Sequence, residues 1–346
     1  MMPRIKSPLP WLRFPNEVSS CPGCRSSTIS LIDAFRPRAK ADERRVAFLT
    51  GCRSCGLLFA NPLPTAEQLH HTYSKAGPWA AAREERLSRL ANAHQRRERK
   101  ALPTKARSVV RGPDLLLEAL ASYLPVHNPP LGAKVLDFGC GDGKFLNRLQ
   151  DRGWETHGIE LSTDVAFLRH RRLKSPPQDA SFDFVVLHHV LEHVRTPLEI
   201  LEQLALTLRE GGVMFISTPR LDTLPDHRDL PYCIDGRRHI LSFSERCLAG
   251  LLTRAGFHAT ARLDLPVLDR LQTDGKQLRL RIVATRTLSP SPLPSAPLAP
   301  ALAALRRYGM ASNSDPLRHL LRFLPVRMRA ALLARVRKTS RHRAHR

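Results

Sequence analysis

Two patterns in this sequence carry residue types that could do chemistry. Cys21-Pro-Gly-Cys24 and Cys52-Arg-Ser-Cys55 form two CxxC pairs. Thiolates at that spacing suit tetrahedral zinc in a closed structural site. A redox-active CxxC pair is the rival reading, and the presence of two pairs favours zinc. Further along, VLDFGCGDG (Val135 to Gly143) places a glycine cluster directly after an apolar run. Gly139 and Gly141 allow a tight turn and close approach of a ligand to the backbone. Glu160 follows Asp137 by 23 residues, and a carboxylate there can accept hydrogen bonds from two ribose hydroxyls. The dinucleotide fingerprint GxGxxG is not met, because its third glycine position is Lys144. Asp137, two residues before the turn, suits a ligand with a cationic end.

A third group is histidine-rich. His188, His189 and His193 fall within LHHVLEHV, and His239 stands alone in RRHILSFS. Imidazoles can take a proton near neutral pH. His188, His189, His193 and His239 are therefore the candidate bases.

The elements that must position these residues read as alternating strands and helices. Lys134–Phe138 is expected as a strand, Lys144–Arg152 as a helix stopped by Gly153, and Thr156–Glu160 and Phe182–Leu187 as further strands. Thr196 is expected to cap the next helix in a capping box with Glu199, Pro197 taking its first position and Gly211 and Gly212 ending it. Val213–Ser217 is a strand. A helix beginning at Ser242 or Ser244 runs to Gly256, and Phe257–Leu263 and Gln277–Thr285 close the sheet. Such alternation implies an α/β fold with a mainly parallel, doubly wound sheet, whose ligand sits beyond the C-terminal strand ends where strand order reverses. Thr28–Phe35 and Val46–Thr50 would form a hairpin between the cysteine pairs. Thr65 and Gln68 fit a capping box.

The glycine turn resembles motif I of class I S-adenosylmethionine (SAM) methyltransferases. The resemblance continues through GIELS (Gly158 to Ser162), LHHVLEHV, LREGGVMFISTP (Leu208 to Pro219) and HILSFSERCLAGLLTRAGF (His239 to Phe257). It implies a Rossmann-like methyltransferase sheet over residues 131–288. It also implies a cofactor site made of Asp137, Gly139, Cys140, Gly141, Gly143, Glu160, Leu161, Leu187 and His188. In that site Asp137 to Gly143 would hold the methionine part and Glu160 the ribose, with Leu187 and His188 lining the far side. The resemblance also sets the HxLEH stretch and His239 beside the acceptor pocket, which implies His193 and His239 as the catalytic pair ahead of His188, with Glu192 orienting a neighbour. The segment CGLLFANPLPTAEQLHHTY resembles the branch of this family that carries an N-terminal four-cysteine zinc ribbon, many of whose members modify small molecules. One departure is visible. Only Thr163 to Ala180 separate GIELS from the next strand, so the third strand is expected to be short or missing, with Gln178 or Asp179 standing in for the adenine contact.

The expected organisation is therefore a flexible arm (1–20), a zinc ribbon (21–62), a helical connecting segment (63–130), the methyltransferase domain (131–288), and a Pro-rich linker with a basic amphipathic tail (289–346). The formal net charge is +24, and residues 316–346 hold ten Lys and Arg and no acid. That asymmetry suits an anionic membrane surface or RNA phosphates, or a solvated tail. No stretch of about 18 apolar residues is present, so no transmembrane segment is expected. Unpaired thiols and the lack of a signal-peptide pattern at the start imply a cytoplasmic setting. The expected activity is SAM-dependent transfer of a methyl group to an O, N or C atom of a small-molecule or glycan-type acceptor, with structural zinc. The alternatives are an RNA methyltransferase and a non-catalytic binding protein.

Overall fold

In the computed structural model the described residues are 18–35, 47–73, 112–161, 170–220, 233–265 and 279–286. Residues 1–17 of the expected arm, residues 74–111 of the expected helical connecting segment, and the Pro-rich linker with its basic tail lie outside them.

Two sheets organise the chain. The smaller is antiparallel, in the order β1 (Ile29–Phe35), β2 (Ala47–Cys52), β3 (Leu58–Asn61) and β9 (Leu241–Ser242). Its first two strands are the hairpin expected between the cysteine pairs. Its last strand comes from the far half of the chain, so the cysteine lobe is completed by the segment that follows His239. The larger sheet is built from β4 (Lys134–Phe138), β5 (Glu155–Ile159), β6 (Arg171–Arg172), β7 (Phe182–His188), β8 (Leu208–Pro219), β10 (Phe257–Arg262) and β11 (Arg279–Arg286). Their spatial order is β10-β11-β8-β7-β4-β5-β6. The run from β6 to β8 is parallel, while β11 and β10 are antiparallel additions. Strand order reverses between β4 and β7, so the glycine turn after β4 sits at the switch point. The third strand is present and short: β6 has two residues, paired to His157 and Gly158 of β5.

Alternation along the strands sorts the core into two faces. On one, Leu136, Val185, Leu187, Met214 and Ile216 pack with α4 (Pro197–Thr207) and α5 (Glu245–Arg254). Cys21, Cys52, Cys55, Leu57 and Phe59 of the cysteine lobe join that same cluster, together with Leu69 of α1 (Ala66–Tyr73). On the other face, Val135, Phe184, Val186 and Phe215 pack with α2 (Gly112–Leu120) and α3 (Lys144–Gln150). Each fully buried Leu or Phe contributes about 1.5–3 kcal/mol. The lobe therefore rests on the sheet through apolar area.

Local chemistry explains several element ends. Thr65 and Gln68 form the expected reciprocal box, at 2.9 and 3.0 Å. Ser244 caps α5 by accepting from the Cys247 N–H at 3.2 Å. The box expected at Thr196 is not made: Thr196 gives no side-chain cap, and Glu199 reaches Arg25 of the cysteine lobe at 3.1 Å instead. Nor do Gly211 and Gly212 end the helix. It stops at Thr207, and the two glycines lie within β8.

Candidate active site

The turn after β4 is pinned to the end of β5. The N–H groups of Gly139 and Cys140 both donate to the Ile159 carbonyl, at 2.7 and 3.1 Å. The Gly141 N–H donates to Glu160 Oε2 at 2.9 Å. Glycine is required where the backbone is crowded. A Cβ on Gly139 (φ 83°) would lie 2.4 Å from Val190 Cγ2, and one on Gly143 (φ 69°) would lie 2.9 Å from His170 Cδ2. A Cβ on Gly141 would meet nothing within 4 Å, so this side of the turn is open rather than filled by side chains.

Asp137 lies beneath the turn, 3% exposed. Its Oδ1 is buried and has no hydrogen-bond partner among the described residues. Burial, reinforced by the charge of Glu160, pushes its carboxyl up to about 7. An orphaned buried carboxylate beside an open glycine turn fits a ligand that brings a positive or hydrogen-bond-donating group. Cys140 is buried within the turn, and burial raises its thiol. Leu161 is 55% exposed beside Glu160. Leu187 departs from expectation: its side chain is fully buried in the core, so the strand end facing the turn is His188, which is exposed.

His170 was not anticipated. Its Nδ1 accepts from the Thr156 hydroxyl at 2.8 Å, and its Nε2 lies 2.9 Å from Asn147 Oδ1. It thus ties β5 to α3 directly behind Gly143. Gln178 and Asp179 cannot contact adenine. They precede β7, where Ala180 N–H donates to the Leu206 carbonyl and the Thr207 hydroxyl to the Pro177 carbonyl. In a parallel sheet that is the end opposite the turn, about 23 Å away along a seven-residue strand. The chain that leaves β6 at Leu173 is on the turn side.

Glu192, His193 and His239 come together in space. Leu191–His193 form a single 3-10 turn joined to the glycine turn by the contact between Val190 and Gly139. Ligand atoms of Glu192, His193 and His239 lie within 4.8 Å of one another, and the rings of His193 and His239 are 4.8 Å apart at 50°. Glu192 has no exposure. His189 Nδ1–H donates to its Oε1 at 2.9 Å and the Thr218 hydroxyl to its Oε2 at 3.0 Å. Burial alone would raise this carboxyl. The His189 hydrogen bond and the nearby His193, His189 and His239 outweigh burial and hold it down at about 2. His189 occupies the left-handed region, φ 59°, a strain of about 1–3 kcal/mol that aims its ring at Glu192.

Three further residues set this cluster and were not singled out from sequence. Asp235 Oδ1 accepts the N–H groups of Arg237, Arg238 and His239 at 2.9, 2.7 and 3.1 Å, which builds the turn presenting His239. The Asp-Gly pair at 235–236 was its only sequence signal. Thr218 and Tyr73 had none, because tertiary packing alone brings them to the cluster. Ile240 N–H donates to the Glu192 carbonyl at 2.9 Å, and the Ile240 carbonyl accepts from Ala60 N–H at 2.9 Å. The cysteine lobe is thereby stitched directly to the Leu191–His193 turn.

The four cysteines of the two pairs also come together. The sulfurs of Cys21 and Cys55 are 3.6 Å apart, and those of Cys24 and Cys52 are 3.5 Å apart. A tetrahedral ion with Zn–S bonds of about 2.3 Å needs sulfurs about 3.8 Å apart, so the donor set fits zinc.

Comparison with known proteins agrees with this geometry. The family model described as "Methyltransferase domain" matches residues 93–261. The ubiquinone biosynthesis O-methyltransferase of Paracidovorax citrulli is 29% identical over 204 residues, covering 54% of this chain and 75% of that protein. The malonyl-[acyl-carrier protein] O-methyltransferase of Enterobacter lignolyticus is 28% identical over 170 residues, covering 44% and 65%. Other ubiquinone biosynthesis O-methyltransferases are matched over about half their length. A solved SAM-dependent methyltransferase from Mesorhizobium loti aligns with 51% of this chain and 100% of its own, at 18% identity and TM-score 0.41. With the switch-point turn, its linked carboxylate and the matching family model, residues 93–261 belong to the class I SAM-dependent methyltransferase family.

Proposed function

We propose that this chain transfers a methyl group from SAM to an oxygen of a small-molecule acceptor. The observation that carries the reading is the buried, unpartnered Asp137 Oδ1 under an open glycine turn whose Gly141 N–H already shares a carboxylate with the end of β5. Asp137, Gly139, Cys140, Gly141 and Gly143 would hold the methionine end, with Glu160 and Leu161 at the ribose and His188 on the far side. SAM, when bound, supplies an electrophilic methyl on a sulfonium leaving group. The chain's own residues hold the acceptor in line and take its proton. His193 Nδ1 lies 2.7 Å from the Arg238 carbonyl, which can only accept. Nδ1 therefore carries the hydrogen and Nε2 keeps the lone pair, facing Glu192 and His239. In that state His193 is the base, His239 flanks the acceptor, and buried ionised Glu192 stabilises the imidazolium that forms.

The choice of oxygen and of a small acceptor rests on the names of the relatives, both O-methyltransferases. An RNA acceptor would rest on the cysteine ribbon and the net charge of +24. Among the described residues no helix is long and apolar enough to cross a membrane. Cys21, Cys24, Cys52 and Cys55 would hold one zinc in a closed site with a structural role, within a ribbon of residues 21–62, and residues 131–288 would form the catalytic domain. Calorimetric titration with SAM and with S-adenosylhomocysteine tests the function. Binding of both, followed by methylation of phenolic or carboxylate acceptors, is expected. Absence of heat with either would end the enzyme assignment and leave a binding protein with this fold.

A further inference from the structure

Tyr73 ends α1, in the segment that follows the cysteine lobe. Its phenolic oxygen nevertheless lies 2.9 Å from His193 Nδ1 across a separation of 120 residues. The two rings meet edge to face, with centroids 5.6 Å apart at 71°. The same nitrogen faces the Arg238 carbonyl at 2.7 Å. Burial pushes the Tyr73 phenol up, so it remains a neutral hydroxyl whose oxygen can accept.

We propose that Tyr73 is a positioning residue for His193, sharing the Nδ1–H with the Arg238 carbonyl so that the lone pair stays on Nε2, on the side of Glu192 and His239 where the acceptor would be deprotonated. The inference rests on the reading of His193 as the base. Three observations favour it over simple packing. The Arg238 carbonyl can only accept and so selects the Nδ1–H tautomer, which leaves the phenol oxygen as the second acceptor on that hydrogen. The edge contact fixes the ring plane that those bonds require. Finally, α1 is itself anchored: its start is locked by the Thr65–Gln68 box, and Leu69 is buried in the cluster that contains Cys21, Cys52 and Cys55. The N-terminal lobe thus contributes a group to the catalytic cluster.

The test is spectroscopic and needs no acceptor. The full chain, labelled with 15N-histidine and saturated with S-adenosylhomocysteine, is compared as wild type and Y73F, with the His193 signals identified by their loss in H193N. In Y73F the Nε2–H form of His193 should rise by about three-fold, the scale of one neutral hydrogen bond, while the heat of S-adenosylhomocysteine binding stays unchanged. Should Y73F fold poorly, 3-fluorotyrosine incorporation serves instead. The chain has four tyrosines, and the substitution weakens the phenol as an acceptor without removing it, so a smaller change in the same direction is expected. Unaltered His193 signals in a folded sample of either kind would overturn the role of Tyr73. Failure of the wild type to bind S-adenosylhomocysteine would instead count against the cofactor reading, leaving the Tyr73–His193 result to be read on its own.

Discussion

The Gly141 N–H donates to Glu160 Oε2 at 2.9 Å, so the turn after β4 and the end of β5 share one carboxylate. A nucleoside held by Glu160 lies, by this bond, against the glycine turn. Glu160→Ala removes both the proposed ribose acceptor and the anchor of the turn. SAM binding should weaken by about 1–3 kcal/mol, the cost of losing hydrogen bonds to a charged group, with little change in melting temperature. An unchanged calorimetric titration would take Glu160 out of the site.

Asp137 gives a pH prediction. Its native carboxyl is raised to about 7, above the unfolded value of about 3.9. The native state therefore binds this proton more tightly than the unfolded state. The resulting penalty is absent below about pH 4, grows as pH climbs toward 7, and is complete above it. Asp137→Asn should melt higher than wild type at pH 8 and equally at pH 4 when SAM is absent. Wild-type SAM affinity should rise between pH 6 and 8 with proton release, visible as heats that differ between buffers of different ionisation enthalpy. A pH-independent affinity would contradict a cationic partner for Asp137.

Glu192 carries the opposite sign. Its native carboxyl is depressed to about 2, so its contribution is present above the unfolded value of about 4.3 and is lost as pH falls toward 2. Glu192→Gln should be less stable than wild type at pH 7, with the difference shrinking as pH drops from 4 to 2 in denaturant titrations. Activity should fall at least ten-fold while SAM affinity holds, because the residue sits on the histidine side of the site. Equal loss of SAM binding would show that Glu192 organises the cofactor pocket instead.

Cys52 has no exposure and shares its core with Leu248 and Leu251 of α5. On the proposed zinc site, Cys52→Ser should cost the chain its metal and lower stability across the larger sheet as well as the cysteine lobe, since metal binding energy is folding energy in such lobes. Metal analysis and scanning calorimetry check this. One lowered transition is expected for the described body. Full zinc content in the variant would refute the site.

The sequence by itself determined most of the elements and the candidate residues on the glycine turn and in the histidine cluster. Apolar period and glycine punctuation are local properties, so β4 was legible to the residue, as was the glycine turn. The cysteine pairs were equally visible, because metal-ligand spacing is written in short range. Capping was legible only where no distant partner competed: Thr65 and Gln68 had none, whereas Glu199 found Arg25. Long-range packing decided the rest. It buried Leu187 instead of exposing it to a ligand and put Gln178 and Asp179 at the wrong end of the sheet. It also carried Tyr73 from the N-terminal segment to His193. These outcomes depend on which faces of separate elements bury area together, and that free energy is shared among residues tens to hundreds of positions apart.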